Sequence, residues 1–463
     1  MSRVAIAGGC LVGSLLSLIL KKRNHEVFLF EKRPDLRKNL NDSGRSINLI
    51  VTSRGLNALK SAGLLEKALT LTVPVTGRMM HSVNGEQVYQ AYGRDPSECN
   101  YSISRAELNR FLITKSAEKN ENIFFDYNLN AVDFKNKIAT FTRGADSKKI
   151  EYDILIGADG AGSILRSLMY PSQSPQQANS KNQTVFLGSG YKELFMPLKN
   201  GQPALEKNVL HIWPRGSHML MALPNLDGSF TMTLYLPHQG SPLSFAQLKT
   251  ESAVQSYFEK YFPDALKLMP TAVQDFLKNP EGVLGTVHCT PWVINDSVAL
   301  IGDAAHAILP FFGQGMNCGF EDCMVLNEML DQCKENWPEA LHRYDTYQRP
   351  NADAIADMAL ENFYEMSDKV GDQNFLFRKK IEAWLEKNFP DQYRSRYGMI
   401  TYTLIPYRVA YEAGLLQNEI LNELAQGIKS VEELNYEKAK LILQEKFLPF
   451  VQKNKINLVR YRF

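Results

Sequence analysis

The sequence predicts an α/β protein that carries an inserted, mainly antiparallel β-sheet and a C-terminal helical region. The first indication is the order strand, glycine-rich turn, helix and strand between Val4 and Glu31. The second is a group of short apolar runs, separated by turn residues, between about 170 and 285. The third is the segment from about 333 to 463, which is rich in helix-forming residues and poor in glycine.

The N-terminal stretch has the pattern of a dinucleotide-binding unit. Val4 to Ala7 suit a buried parallel strand, apolar residues then recur at helical spacing, and Val27 to Phe30 suit a second strand. Gly8, Cys10 and Gly13 occupy the three glycine positions of the G-x-G-x-x-G fingerprint, with cysteine in the middle place. In such a unit the helix N-terminus binds a pyrophosphate through its free N–H groups and its positive dipole end.

Glu31 ends the second predicted strand, where an acidic residue accepts hydrogen bonds from an adenosine ribose. This pattern favours a dinucleotide with a free 2′-hydroxyl group, such as FAD or NAD. We expect the loop to tolerate Cys10, because the side chain is small and Gly9 is adjacent. A signal peptide or membrane anchor is the less favoured interpretation, since basic residues 21–23 follow the apolar run and no cleavage site is visible.

Two further glycine-containing loops follow buried apolar runs. One extends from Gly157 to Ser163 and the other from Gly302 to Asn317. Open α/β sheets bind ligands at such strand ends. Asp303 suits a sugar or ribityl hydroxyl group, and the helix predicted from Cys318 to Leu330 aims its first N–H groups at the same ligand.

Composition and charge exclude several classes of protein. A chain of 463 residues predicts two or three domains, and a net charge of +2 gives no sign of a nucleic-acid surface. Six cysteines without a C-x-x-C pair, and the lack of a secretion signal, predict reduced thiols in a cytoplasmic protein. The sequence contains no Cys/His cluster that would predict a metal site. It also contains no run of about 20 apolar residues that would predict a membrane anchor.

Several polar side chains are candidates for ligand contact. Arg78 and Tyr92 lie on two strands of a predicted hairpin across Asn84-Gly85, and an arginine with a phenol suits a carboxylate. An ordinary surface pair is the open alternative. Arg105 lies in a predicted first helical turn, where the helix dipole disfavours a positive charge. A bound anion or simple solvation of the side chain would explain this position. Asn362 lies on an apolar helical face, where its amide requires a structural partner or a ligand.

The three loops in this order (Gly8 to Gly13 with Glu31, Asp159-Gly160 and Gly302-Asp303) resemble the FAD-dependent aromatic hydroxylases, which are single-component flavoprotein monooxygenases. The likeness covers residues 4 to about 410. Its departures are Cys10 and the absence of the membrane-anchoring tail of the animal members, so the chain is similar to the soluble bacterial type. The stretches that carry it further are Gly44-Arg45-Ser46-Ile47-Asn48-Leu49, Tyr92-Gly93-Arg94, Leu210-His211-Ile212-Trp213-Pro214, Gly302-Asp303-Ala304-Ala305-His306 and Pro310-Phe311-Phe312-Gly313-Gln314-Gly315-Met316-Asn317.

The resemblance implies residue roles and a domain organisation. It implies a Rossmann-like FAD-binding domain of residues 1–74, 102–172 and 285–332, a substrate-covering β-sheet domain of residues 75–101 and 173–284, and a C-terminal helical domain of residues 333–463. The implied substrate contacts, at the amino-acid end, are Arg78, Tyr92, Asn362 and Tyr397. The positions implied to bind FAD are Gly8, Val12, Gly13, Phe30, Glu31, Lys32, Arg33, Ile50, Arg105, Leu129, Asp303, Gly315, Met316 and Asn317.

The resemblance also implies a reaction. Non-covalent FAD, NADPH and O₂ would hydroxylate L-kynurenine, a small aromatic amino acid, to 3-hydroxy-L-kynurenine through a flavin C4a-hydroperoxide. The flavin carries the chemistry, so no protein side chain and no metal is expected to be catalytic. Two alternatives stay open: a flavin hydroxylase of another aromatic acid, and a flavin- or nucleotide-binding sensor without turnover. The preference for NADPH over NADH and the oligomeric state are left open by the sequence.

Overall fold

The structure is a computed structural model that describes residues 1–38, 48–171, 181–368 and 373–461. Part of one family-like stretch, Gly44 to Ile47, lies outside the described residues. The strands, in chain order, are β1 Arg3–Ala7, β2 Glu26–Glu31, β3 Asn48–Val51, β4 Val73–Val75, β5 Gly77–His81, β6 Gln87–Ala91, β7 Asn100–Ser104, β8 Ile123–Phe125, β9 Asn128–Asp133, β10 Ile138–Arg143, β11 Asp146–Glu151, β12 Ile154–Gly157, β13 Lys181–Met196, β14 Val209–Pro214, β15 Met219–Pro224, β16 Phe230–Pro237, β17 Gly282–Thr290, β18 Val293–Ile294 and β19 Val298–Leu300.

The helices are distributed along the whole chain. A 3₁₀ turn spans Pro310–Phe312, another spans Val431–Glu433, and a π-helical turn spans Leu443–Phe447. The α-helices, in chain order, are α1 Leu11–Lys22, α2 Ser53–Ala62, α3 Leu65–Leu69, α4 Arg105–Ala117, α5 Ile164–Met169, α6 Glu251–Tyr261, α7 Pro263–Leu266, α8 Ala272–Lys278, α9 Asp303–His306, α10 Gly315–Gln332, α11 Trp337–Asp368, α12 Gln373–Asn388, α13 Arg396–Tyr402, α14 Tyr407–Ala425, α15 Tyr436–Ile442 and α16 Leu448–Lys453.

The chain folds into two compact units. The first comprises Met1–Thr72, Ile103–Leu187 and Leu284–Ala356, and the second comprises Val73–Ser102, Gly188–Val283 and Asp357–Phe463. The predicted fold class is confirmed, because the first unit holds a mainly parallel sheet and the second holds a mainly antiparallel sheet and the C-terminal helices. The finer division into three domains stays a prediction.

A six-stranded sheet in the order β18-β19-β12-β1-β2-β8 forms the centre of the first unit. Its strands are parallel except for the short β18, and Val4 to Ala7 of β1 are at most 2% exposed. A strand that is buried on both faces must be apolar throughout, which is why the sequence shows a continuous run rather than an alternation. The parallel register places the carboxyl ends of β1, β12 and β19 along one edge, and the three glycine loops follow these ends.

The helical predictions for the first unit are mostly confirmed, with one correction. The apolar residues of α1 are buried along nearly its whole length, and the basic residues of its last turn favour the negative end of the helix dipole. The sequence from Arg54 to Lys67 resembles one short amphipathic helix, but α2 ends at Ala62. Gly63 has φ +75° and closes α2 in the left-handed conformation, so that α3 begins as a separate turn at Leu65.

The sheet of the second unit follows the predicted strands. β13, β16, β15 and β14 are antiparallel neighbours, β5 runs parallel to β14, and β6 pairs with β5 as the predicted hairpin across Asn84-Gly85. Helices α6 to α8 cover one face of this sheet. Trp213, Phe230 and Tyr235 are at most 9% exposed, so these three aromatic residues belong to the core, as expected.

Three histidines are buried in the second unit among aromatic rings. The Nε2 atom of His81 lies 2.9 Å from Nδ1 of His211, and the ring of His218 contacts those of Tyr257 and Tyr261. Neither ring nitrogen of His218 has a hydrogen-bond partner among the described residues. Burial lowers the pKa of His218 to about 4, helped by the nearby positive charge of Arg215, and burial likewise lowers the pKa of His81 to about 4.

We expect this unit to be sensitive to acid. An unfolded histidine titrates near pH 6.5, so the stability is fully present above that pH and is lost as the pH falls toward 4. His81 and His218 then each cost up to about 3 kcal/mol of the free energy of unfolding. Urea unfolding followed by circular dichroism, repeated between neutral pH and about pH 4, measures this loss.

The variant His218→Phe keeps the ring and removes the titratable group, so its stability should fall less steeply with acid than that of the wild type. The exposed His342 on α11 offers the control His342→Gln, which should leave the pH dependence unchanged. If the stability of His218→Phe falls with acid as steeply as that of the wild type, His218 does not cause the acid sensitivity.

Candidate functional site

The loop between β1 and α1 brings backbone groups closer together than a side chain would permit. Gly8 has φ +106°, and a Cβ atom there would lie 2.3 Å from the carbonyl oxygen of Ala158. A Cβ atom at Gly13 would lie 1.8 Å from the carbonyl oxygen of Gly8. Both positions therefore require glycine, as the fingerprint predicts.

Cys10 fits the middle position of the fingerprint without strain. It has φ −78° and ψ −156°, an extended conformation that any residue can adopt, and it is the N-cap residue of α1. Its side chain does not cap the helix, and the first turn of α1 contains no acidic residue. The first N–H groups of α1 and the positive dipole end are thus available to an anion such as a pyrophosphate.

Glu31 holds the glycine loop in place. Its Oε2 atom accepts hydrogen bonds from the Gly9 N–H at 2.9 Å and from the Cys10 thiol at 3.4 Å, and Oε1 accepts from the backbone and Nε of Arg33. Burial raises the pKa of Cys10 to about 11, and the Glu31 carboxylate adds to this, so the thiol stays protonated. The sequence predicted a ribose contact for Glu31 but not this role within the protein. A carboxylate has lone pairs to spare for a ribose hydroxyl as well.

The three predicted loops come together in the first unit. Gly8 lies against Ala158 in the second loop. Val12 lies against the third loop, because a Cβ atom at Gly302 would meet its side chain at 3.1 Å. Asp159 accepts the backbone N–H of Ile164 at 2.7 Å and thereby fixes the start of α5. The structure therefore gathers at one sheet edge what the sequence shows only as three separate glycine motifs.

The first turn of α10 is another helix start of this unit that no side chain caps. Gln314 is its N-cap residue, no side chain caps it, and Gly315 and Met316 begin it. The amide of Asn317 is already used, since it donates to the Ile50 and Gly313 carbonyl oxygens and accepts from Thr52 N–H. A predicted cofactor contact of Asn317 therefore falls to its backbone, because its side chain joins β3 to the loop before α10.

Of the other residues predicted to bind FAD, some have side chains buried in the core and others have exposed side chains. The Phe30 ring stacks on Phe141 at 3.7 Å, and Leu129 is 4% exposed on β9, so only the backbone of Phe30 and of Leu129 is suited to a ligand. The Lys32 and Asp303 side chains are exposed. Arg105 lies close enough to Cys10 to lower the pKa of the thiol slightly against the larger effect of burial. Direct FAD contacts stay predictions.

A buried cluster that the sequence did not suggest lies beneath the third loop. Asp322 accepts hydrogen bonds from His306 Nε2 at 2.6 Å and from Gly302 N–H at 2.8 Å, and Cys318 Sγ lies 3.9 Å from His306 Nδ1. Burial lowers the pKa of His306 but the Asp322 carboxylate prevails, so this pKa is well above its usual value. The three side chains could in principle hold a metal ion, yet Asp322 and Cys318 contact opposite nitrogens of one ring. This arrangement suits a hydrogen-bonded chain rather than a common ion.

The second unit brings three of the four predicted substrate residues together. The rings of Tyr92 and Tyr397 stack 5.5 Å apart, and Arg78 is near enough to act on the pKa of both. Burial raises the pKa of Tyr92, with a further contribution from Tyr397, so both phenols stay protonated at neutral pH. Arg78 donates to Gln90 Oε1 at 2.7 Å. Asn362 lies half-buried on α11, and its place in this cluster stays a prediction.

Tyr397 is held in place by residues to which no sequence motif points. Asn100 Nδ2 donates to the Tyr397 hydroxyl at 2.9 Å. Arg394, just before α13, forms a buried ion pair with Glu98, whose other oxygen accepts the Arg94 N–H at 3.0 Å. These residues are far apart in the chain and carry no motif spacing, so only the fold reveals them.

The glycine loops and the two uncapped helix ends define a dinucleotide-binding flavoprotein. The family model described as FAD binding domain matches residues 1–189 and 284–359. Kynurenine 3-monooxygenase of Myxococcus xanthus is 43% identical over 97% of this chain and 97% of that protein. The enzymes of the same name from Cytophaga hutchinsonii and Dictyostelium discoideum are 44% and 41% identical, over 91% and 96% of this chain and 93% and 97% of theirs. The chain therefore belongs to the kynurenine 3-monooxygenase family of FAD-binding proteins.

Solved structures support the fold. The tetrameric form of 2-methyl-3-hydroxypyridine-5-carboxylic acid oxygenase matches with a TM-score of 0.64 at 20% identity, over 82% of this chain and 95% of that one. A tetracycline destructase matches with a TM-score of 0.59 at 16% identity, over 84% and 97%. The resemblance to the FAD-dependent aromatic hydroxylases is confirmed by the family model and by the relatives named above. Across the described ranges, none of the helices combines the length and the apolar character needed to cross a membrane.

We expect Glu31→Gln to weaken FAD binding. The amide keeps the shape but loses the charge that Gly9 N–H and Arg33 share, so the Kd of FAD should rise about tenfold, which corresponds to about 1.4 kcal/mol. Flavin fluorescence titration of the apoprotein measures this Kd. The control is Glu26→Gln on the same strand, whose partner Arg3 lies at the surface. A Kd equal to that of the wild type would show that Glu31 does not organise the loop.

Proposed function

We propose that this protein is an FAD- and NADPH-dependent monooxygenase that converts L-kynurenine and O₂ to 3-hydroxy-L-kynurenine. The observation that carries the proposal is the clamp of Arg78, Tyr92 and Tyr397 in a chain that is 43% identical, over nearly its full length, to an enzyme named for this reaction. Neither the glycine loops alone nor the flavoprotein fold would distinguish this substrate from another aromatic acid.

The first unit fits FAD by the chemistry of its groups. The uncapped N-terminus of α1 suits the pyrophosphate, and the exposed Asp303 suits a ribityl hydroxyl. The uncapped start of α10 suits a site where negative charge develops on a ring. When bound, FAD supplies the hydride acceptor and the activation of oxygen. The residues of the chain bind the cofactor, and none of them needs to act as a nucleophile.

The second unit fits the amino-acid end of the substrate. The Arg78 guanidinium offers a planar fork of donors to a carboxylate, and Tyr92 and Tyr397 are protonated phenols that donate as well. Holding the carboxylate fixes where the aromatic ring can lie, which is the main contribution that the protein makes to an attack on a ring carbon. We propose that Asn362 completes this clamp from α11.

Substrate-dependent NADPH oxidation with product analysis tests the proposal. L-kynurenine should stimulate the oxidation, and the product should be hydroxylated beside the aniline nitrogen. Stimulation by a phenolic acid, but not by L-kynurenine, would favour a hydroxylase of another aromatic acid. A yellow protein that no aromatic acid stimulates would favour a non-catalytic flavin-binding role. All six cysteines are free, which supports our proposal of a cytoplasmic location.

We expect Arg78→Ala to raise the KM for L-kynurenine about a hundredfold while FAD stays bound, because a bidentate charged contact of about 3 kcal/mol is lost. Steady-state kinetics and the flavin absorbance spectrum together measure both effects. The control is Arg408→Ala, which removes an exposed arginine of the same unit that pairs with Glu412 at the surface. An unchanged KM in Arg78→Ala would remove Arg78 from the substrate site.

A further inference from the structure

We propose that Asn100 is a further substrate-binding residue, and that its side-chain carbonyl oxygen receives the α-ammonium group of the amino-acid substrate. This inference rests on the proposed function, because it assigns a role within the same clamp. It adds the contact that an amino acid requires and a simple carboxylic acid does not.

The contacts of Asn100 are only half complete. The residue is 4% exposed at the start of β7, where it pairs with Val75 of β4. Its Nδ2 atom donates to the Tyr397 hydroxyl at 2.9 Å. Its Oδ1 atom is buried and accepts no hydrogen bond from any residue that the structure describes. A buried acceptor without a donor costs free energy, so a ligand that donates to it gains a stabilising contact there.

Arg78, Tyr92 and Tyr397 suit the substrate carboxylate better than its ammonium group. Arg78 is a pure donor, and Tyr92 and Tyr397 are protonated phenols whose hydrogen atoms suit the substrate carboxylate. An α-amino acid also carries an ammonium group, which needs acceptors. Asn100 Oδ1 is an acceptor on a residue that is already bonded to Tyr397, so one side chain touches the clamp with its amide nitrogen and offers its oxygen to the ammonium.

A carboxylate close by in sequence is already engaged. Glu98 lies two residues before Asn100, but one of its oxygens pairs with Arg394 and the other accepts the Arg94 N–H. A neutral amide has an advantage at this position, because a free buried carboxylate would be costly before the substrate arrives, whereas an unpaired amide oxygen costs far less. The ammonium then forms a charge-assisted hydrogen bond with a group that has no competing partner.

The competing explanation is that Asn100 only orients Tyr397. Both explanations predict weaker substrate binding when Asn100 is replaced, so the substrate must be varied together with the residue. A suitable second ligand is the analogue of L-kynurenine in which the α-ammonium group is replaced by hydrogen. It keeps the carboxylate and the ring, and therefore depends on Arg78, Tyr92 and Tyr397 but not on Asn100 Oδ1.

The experiment measures the Kd of both ligands by flavin absorbance change in the holoenzyme of the wild type, Asn100→Leu and Asn100→Asp. Leucine has nearly the same shape without the acceptor, and aspartate keeps an acceptor. In Asn100→Leu the Kd of L-kynurenine should rise about ten- to a hundredfold, and at least tenfold more than that of the analogue, whose Kd reports only the lost contact with Tyr397. In Asn100→Asp the Kd of L-kynurenine should stay near the wild-type value or fall.

Three results would overturn the inference, and they are distinguishable. An equal loss for both ligands in Asn100→Leu, with both binding to the wild type, would reduce Asn100 to a positioning residue for Tyr397. An unchanged Kd of L-kynurenine in Asn100→Leu would exclude any contact. A wild-type holoenzyme that binds neither ligand would overturn the proposed substrate and this inference together. The FAD content and circular dichroism of each variant show that it is folded, and Asn100→Asp provides a second folded variant.

Discussion

The close approach of backbone to backbone at the Gly8 loop is the constraint on which the rest of the cofactor site depends. Because Gly8 and Gly13 carry no Cβ atom, the loop lies directly against Ala158 and the first turn of α1 starts immediately above the sheet edge. The same approach leaves the first N–H groups of α1 uncapped. Glu31 then secures the loop through Gly9 N–H. A flavin pyrophosphate would complete a site whose shape is already fixed without it.

In the proposed function, the second unit binds a zwitterionic substrate with mostly neutral groups. Arg78 is the permanent charge of the proposed clamp, and the two tyrosines next to it stay protonated because burial raises the pKa of both. These groups donate to the carboxylate, and we propose that the amide oxygen of Asn100 accepts from the ammonium group. Neutral partners keep the cost of desolvation low before the substrate binds, since a second buried charge would need a partner of its own.

The sequence predicted best where a local pattern determines the structure. The continuous apolar run of β1, the helical spacing of α1 and the Asn84-Gly85 hairpin each depend on residues a few positions apart, and all were recovered. The helix break at Gly63 was missed because glycine within an apolar helical pattern does not itself reveal a left-handed conformation.

The parts of the site that the sequence could not reveal depend on contacts over long distances in the chain. Nothing in the spacing of Cys318 and Asp322 shows that both contact the ring of His306. Asn317 was predicted as a cofactor residue, but its amide is used by three backbone groups that only the folded chain brings near. Asn100 has no motif at all, and its relation to Tyr397 bridges 297 positions.

The buried ion pair of Glu98 and Arg394 shows what such a contact between distant parts of the chain contributes to the structure. Both side chains are at most 5% exposed, and taking two charges out of water offsets most of the energy gained by pairing them. The pair is therefore weak evidence for stability and better evidence for a fixed geometry. Arg394 also donates to the Leu458 carbonyl oxygen, and its own carbonyl accepts from Gln417, so the residue that precedes α13 is bound from three directions. An apolar replacement would pack but would not fix this direction, and the start of α13, which carries Tyr397, would lose an anchor.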